Sequence, residues 1–112
     1  MPSPLALLIL LAAPALAAPV LAPPALADVA PDRAARLEHL VVQDCGSCHG
    51  LTMKGGLGSP LTPEALAHAT PEGLAGIILD GIPGTAMPPW RPLISQAEAI
   101  WIARYLLKDQ DR

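Results

Sequence analysis

Apolar side chains recur along this chain at the spacing of a helix, and nowhere do apolar and polar residues alternate as they do in a strand. The first periodic stretch runs from Pro31 to Cys45, with Asp32 as its N-terminal cap and Leu37, Leu40, Val41 and Asp44 marking successive repeats. Thr62-Pro63-Glu64 and Thr70-Pro71-Glu72 then give one start signal twice: a capping hydroxyl, a proline at the first helical position and an acid favoured by the helix dipole. They predict short helices over 63–68 and 71–80, with Gly81 ending the second. Gly73 and Gly76 weaken that second helix by about 1 kcal/mol each relative to alanine, so tertiary packing must hold it. Ser95-Gln96-Ala97-Glu98 is a capping box, and the helix it opens runs to Lys108. Ile94, Ala97, Trp101 and Tyr105 share one face of it, with Ile100, Ala103 and Leu107 beside them, and the two aromatics are expected to pack against the first helix. The fold class these patterns predict is all-α.

Residues 1–27 stand apart. They carry no charged side chain, contain the apolar run Leu5 to Leu11, and end in Ala25-Leu26-Ala27, small residues of the kind a signal peptidase reads. A cleaved signal peptide over 1–27 is expected, leaving 28–112 as one domain, with Ala17 as the alternative cleavage point. Pro14, Pro19, Pro23 and Pro24 interrupt any helix long enough to remain as a membrane anchor, so no stable membrane insertion is expected after cleavage.

Composition sharpens this picture. With two Trp, one Tyr and no Phe, the domain lacks the large side chains that fill a core, and a bound apolar cofactor would supply the missing buried surface. The apo-protein is accordingly expected to fold poorly. The formal net charge is -3, which argues against nucleic acid as a partner.

The chemistry lies in Cys45-Gly46-Ser47-Cys48-His49, the C-x-x-C-H pattern that attaches a c-type haem. Two thiols one helical turn apart add across two vinyl groups, and the adjacent imidazole sits beneath the iron. The competing readings are a redox dithiol, which lacks a βαβ setting, and half a zinc site, which lacks a second ligand pair at short spacing. The expected cofactor is one haem c held through two thioethers, which requires export to the periplasm and a cytochrome c maturation machinery. A loop follows with Gly50, Gly55, Gly56 and Gly58, able to lie close against a cofactor and showing no phosphate-binding pattern.

Gly81 to Trp90 is a proline-rich loop with Met87 near its centre. A thioether opposite His49 would favour ferrous iron and raise the potential, so His49 and Met87 are the preferred iron ligands. Met53, His39 and His68 are the alternatives: Met53 is only four residues from His49, and the two histidines lie on helices where solvated side chains are usual. A one-electron carrier fits these features. An enzyme would need an open iron position with acid–base groups above it, and the residues around Met87 are apolar or proline; a gas sensor would need Met87 to be displaceable.

On the haem motif, the Pro60-Leu61 segment, Met87-Pro88-Pro89 and the C-terminal helix, the chain resembles class I cytochromes c, whose helices pack around one covalently attached haem. That resemblance implies a Pro60 carbonyl accepting from the His49 ring N–H, and Trp90 and Arg91 near the propionates. The stretches Asp44 to Gly58, Leu61 to Leu66 and Gly84 to Trp90 further resemble the NirC-type small cytochromes c associated with haem-d1 nitrite reductase. Membership would imply no enzymatic activity of its own. It would imply single-electron transfer in denitrification, with nitrite reductase or a haem d1 maturation protein as redox partner.

Overall fold

The computed structural model describes residues 29–108, together with Met1, Pro14 and residues 17–19. The body of the leader expected over 1–27, with cleavage after Ala27, lies outside the described residues.

Helix α1 spans Pro31–Leu40 and continues without a break through a π-helical turn, Val41–Cys45, into α2, Gly46–His49. Asp32 does not cap it. Ala30 holds that position with no side-chain bond, because Pro31 takes the first helical place; Asp32, in the first turn, pairs with Arg36 at 3.0 Å instead. The inward residues of this rod are Leu37, Val41 and Gly46. A step of four is followed by a step of five, and the wider π turn absorbs the extra residue. As a result Gly46 is buried and Cys45 packs partly buried against the core beside it.

The helix expected over 63–68 does not form. Thr62 accepts from Leu66 N at 3.0 Å and, through its hydroxyl, from Ala65 N at 3.3 Å, but the chain then closes into turns. The start signal is present, yet the segment is too short to offset the cost of helix nucleation. Helix α3, Pro71–Asp80, forms as expected, with the Thr70 hydroxyl accepting from Gly73 N at 3.0 Å and Gly81 leaving it at φ 66°. Helix α4, Gln96–Leu107, opens on a complete capping box: Glu98 N donates to the Ser95 hydroxyl at 3.2 Å, and Ser95 N to the Glu98 carboxylate at 2.9 Å.

The core joins Leu37 and Val41 from the first rod, Met53 from the loop after it, Ala75 and Leu79 from α3, and Ile94, Ala99, Ile102 and Leu106 in and before α4. The inward stripe of α4 is Ala99, Ile102, Ala103 and Leu106; of the expected face Ile94 and the adjoining Ala103 are buried, while Ala97, Trp101 and Tyr105 are only partly buried. Small residues win the seam because they let helices approach closely; the two aromatics are displaced to its flank. There their rings stack at 5.2 Å, and the Tyr105 hydroxyl donates to Glu38 of α1 at 3.0 Å. Arg33 of α1 closes the same seam on Glu98 with two bonds, 2.6 and 3.2 Å. Glu98 thus starts α4 and docks it on α1. Its carboxyl is held below the usual glutamate range, first by the Arg33 hydrogen bonds.

Candidate haem site

Cys45 closes the π turn half-buried, and Cys48 follows one turn later, exposed; both thiols are free. Burial, reinforced by the neighbouring Asp44 carboxylate, pushes the Cys45 thiol up to about 11 and so keeps it neutral. His49 ends α2, where Gly50 turns the chain away at φ 90°.

The imidazole is tied down on one side. His49 Nδ1 lies 2.6 Å from the carbonyl oxygen of Ser59. A carbonyl only accepts, so Nδ1 is the donor, and in the neutral ring this tautomer leaves the Nε2 lone pair for a metal. The expected acceptor was Pro60; the carbonyl comes from one residue earlier. Gly58 explains the shift: its N–H donates to Cys48 O at 2.7 Å, and a Cβ on it would fall 2.7 Å from His49 Nδ1 and Cε1. Gly58 therefore lies flat against the ring, and the carbonyl reaching Nδ1 is that of the next residue. Pro60 disfavours a helical backbone at Ser59, and Leu61 N donates onward to Met53 O at 2.8 Å.

Of the four candidate second ligands, Met53 is 1% exposed and is part of the core, whereas His39 and His68 are exposed side chains. Met87 is half-buried in a loop braced from end to end. Ile82 N donates to Met87 O at 3.2 Å; the Thr85 hydroxyl donates to Ile82 O at 2.6 Å and accepts from Met87 N at 3.3 Å. Trp90 N and Arg91 N donate to Ile78 O and Leu79 O, at 3.1 and 3.0 Å, tying the loop back to α3. Trp90 packs half-buried against the core. Arg91 places Nη2 and Nε 2.6 and 2.9 Å from one carboxylate oxygen of Asp80. Its backbone bond to α3 sets it beside that helix's last residue.

The residues fit a haem c. Two free thiols and a histidine that donates from Nδ1 lie within five residues of one rod. Large apolar side chains stand open to solvent next to them, Leu51 at 65% and Leu57 at 94% exposed, as do Ile77 and Ile82 ahead of Met87. A flat apolar macrocycle gives such surface something to cover. Among the described residues no cluster of three His, Cys, Asp or Glu side chains forms, so the zinc alternative lacks further ligands. No helix among them is long and apolar enough to cross a membrane.

A family profile described as cytochrome c oxidase, cbb3-type, subunit III, matches residues 32–106. Cytochrome c55X of Paracoccus denitrificans (strain Pd 1222) is 60% identical over 87 residues, spanning 75% of this chain and 84% of that relative. A solved structure of c-type cytochrome NirC superposes with a TM-score of 0.69 at 49% identity, covering 70% of this chain and 93% of that one. The chain is a c-type cytochrome of the NirC type. A second solved structure, dihydro-heme d1 dehydrogenase NirN in complex with DHE, is 35% identical with a TM-score of 0.62; the match covers 67% of this chain but only 16% of that enzyme.

Membership of the NirC-type cytochromes accounts for the all-helical fold and implies haem c as the cofactor. Three features of this cytochrome escape sequence reasoning. The resemblance to class I cytochromes c points to the Pro60 carbonyl, whereas the acceptor is that of Ser59, and the glycine pressed against the ring is the available signal. The inward turn of Gly46 depends on a π turn that no residue pattern announces. The burial of Met53 is unexpected in a stretch that otherwise reads as a polar, glycine-rich loop.

Proposed function

We propose that this cytochrome is a periplasmic single-electron carrier of the haem d1 system, holding one haem c through thioethers to Cys45 and Cys48, with His49 and Met87 as axial ligands. The observation that carries the reading is the His49 imidazole, fixed by Ser59 in the tautomer that frees Nε2 and placed directly after two free thiols. When bound, haem c supplies a one-electron cycle of its iron between ferric and ferrous. The chain's part is to hold and tune it. Cys45 and Cys48 would hold it through thioethers, each S–H adding its sulfur to one vinyl carbon and its hydrogen to the other with no net change in oxidation state. Ser59 raises the donor strength of Nε2 by accepting from Nδ1–H. The braced 81–90 loop holds the Met87 thioether with little freedom to reorganise, which suits a carrier better than a catalyst that must open its iron. No acid–base side chain occurs between Gly81 and Trp90, which favours a carrier over an enzyme.

The relatives support a place beside haem-d1 nitrite reductase or its cofactor's maturation. The likeness to part of a dihydro-haem d1 dehydrogenase favours the second. Removing two hydrogens from a dihydro-haem releases two electrons and two protons, so a single-electron acceptor must turn over twice for each product. Deleting the gene and analysing the purified reductase tests this. Reductase carrying an immature d1 precursor supports maturation; mature but electron-starved reductase supports the donor role; an intact system in both respects leaves a carrier for another oxidoreductase.

A further inference from the structure

Among the described residues, Met53 is the one non-glycine with a left-handed backbone, at φ 60°. Side-chain-bearing residues keep that conformation only where their surroundings over-determine it. Here they do. The side chain is 1% exposed, and its methyl carbon closes on Gly46, where a Cβ would meet it at 3.3 Å. Its N–H donates to Gly50 O and its carbonyl accepts from Leu61 N, each at 2.8 Å. One buried residue thus ties both ends of the loop from Gly50 to Leu61 to the core. Inside that loop stands the Ser59 carbonyl, 2.6 Å from His49 Nδ1.

We propose that Met53 is a positioning residue for His49: its anchorage sets where the Ser59 carbonyl stands against the imidazole, and through it the donor strength of Nε2 toward iron. The inference rests on the reading of His49 as an axial ligand. A ring that donates from Nδ1 gains imidazolate character and becomes a stronger ligand, which favours ferric iron. Loosening the anchor weakens that bond and makes the iron easier to reduce. An ordinary core methionine fills a gap and has no such reach, because its backbone carries no strained link to the ligand's partner.

The test compares wild-type holoprotein with Met53→Ala, Met53→Leu and Ile102→Ala, the last removing a side chain of the same core from α4. Thermal stability and midpoint potential are measured for each. Both alanine variants are expected to lose stability, but only Met53→Ala to raise the potential, increasing the ferrous-to-ferric ratio at a fixed electrode potential by roughly threefold or more. Met53→Leu, which keeps the burial, is expected to restore the wild-type potential. Equal shifts in the two alanine variants, or none in Met53→Ala, would overturn the proposal. Should Met53→Ala fail to mature, Leu61→Pro removes the N–H that Met53 O accepts and must raise the potential by itself; an unchanged value refutes the idea. His49→Ala separates the underlying reading: a holoprotein spectrum indifferent to that change means His49 is not the ligand, whatever Met53 does.

Discussion

Two loops carry the proposed iron-ligand environment, one beside His49 and one bearing Met87, and they are made rigid by opposite means. The Gly50–Leu61 loop is drawn inward: Met53 is buried in the core, and backbone bonds tie Gly55 N to His49 O at 2.8 Å and Gly58 N to Cys48 O at 2.7 Å. The Gly81–Arg91 loop is stiffened at the surface by Pro83, Pro88, Pro89 and the Thr85 hydroxyl, with Trp90 as its one large side chain against the core. On the histidine side the ligand's geometry and the fold share the same contacts. On the methionine side they are separable, so the chain can tune one ligand without touching its stability and cannot do so for the other.

The sharpest way to break this comparison is Gly58→Ala. Its Cβ would enter within 2.7 Å of the His49 ring from a fixed backbone, and the expected cost is roughly 3 kcal/mol together with a displaced imidazole. The yield of holoprotein and its melting temperature should both drop; a normal melt with an unperturbed spectrum would show the loop to be looser than described. Met87→Ala comes next and should behave in the opposite way. The melting temperature should change little, while the potential falls and the iron opens to added ligands, read by redox titration and carbon monoxide binding.

Thr85→Val probes the surface brace alone. It removes a donor to Ile82 O and an acceptor for Met87 N, worth about 1 kcal/mol locally, so exchange of Met87 for added imidazole should quicken several-fold with the covalent haem intact. The smallest effect belongs to neither loop. Glu98 has its carboxyl lowered by Arg33, so the stability it contributes is complete above the ordinary glutamate range and lost as pH falls through its lowered value. Chemical denaturation across that acid range should show a slope that Glu98→Gln flattens, without moving the spectrum of either ligand.

Much of this was readable in advance. The Thr70 cap with Pro71 and the Ser95 box with Glu98 are local signals, satisfied within three residues, and α3 and α4 begin where they say. The C-x-x-C-H motif is equally local. What escaped was set by packing between segments. Leu37 and Val41 read as one helical stripe in either an α or a π continuation, so only the fit of Gly46 against Leu51 and Met53 reveals the wider turn. Trp101 and Tyr105 read by their spacing as the inward face of α4, whereas Ala99, Ile102 and Leu106 take it together with Ala103, which the spacing placed beside that face. The Arg91 pair with Asp80 was not legible either, since its partner is eleven residues away and adjacent only once the loop folds back.

The claim that His49 and Met87 together hold a closed, electron-carrying iron is tested most directly by the visible and near-infrared spectrum of the matured protein, oxidised and reduced, with and without carbon monoxide. The account predicts a low-spin spectrum with the weak sulfur-to-ferric-iron band, unchanged by the gas. A high-spin spectrum, or a rapid shift on adding carbon monoxide, would contradict it.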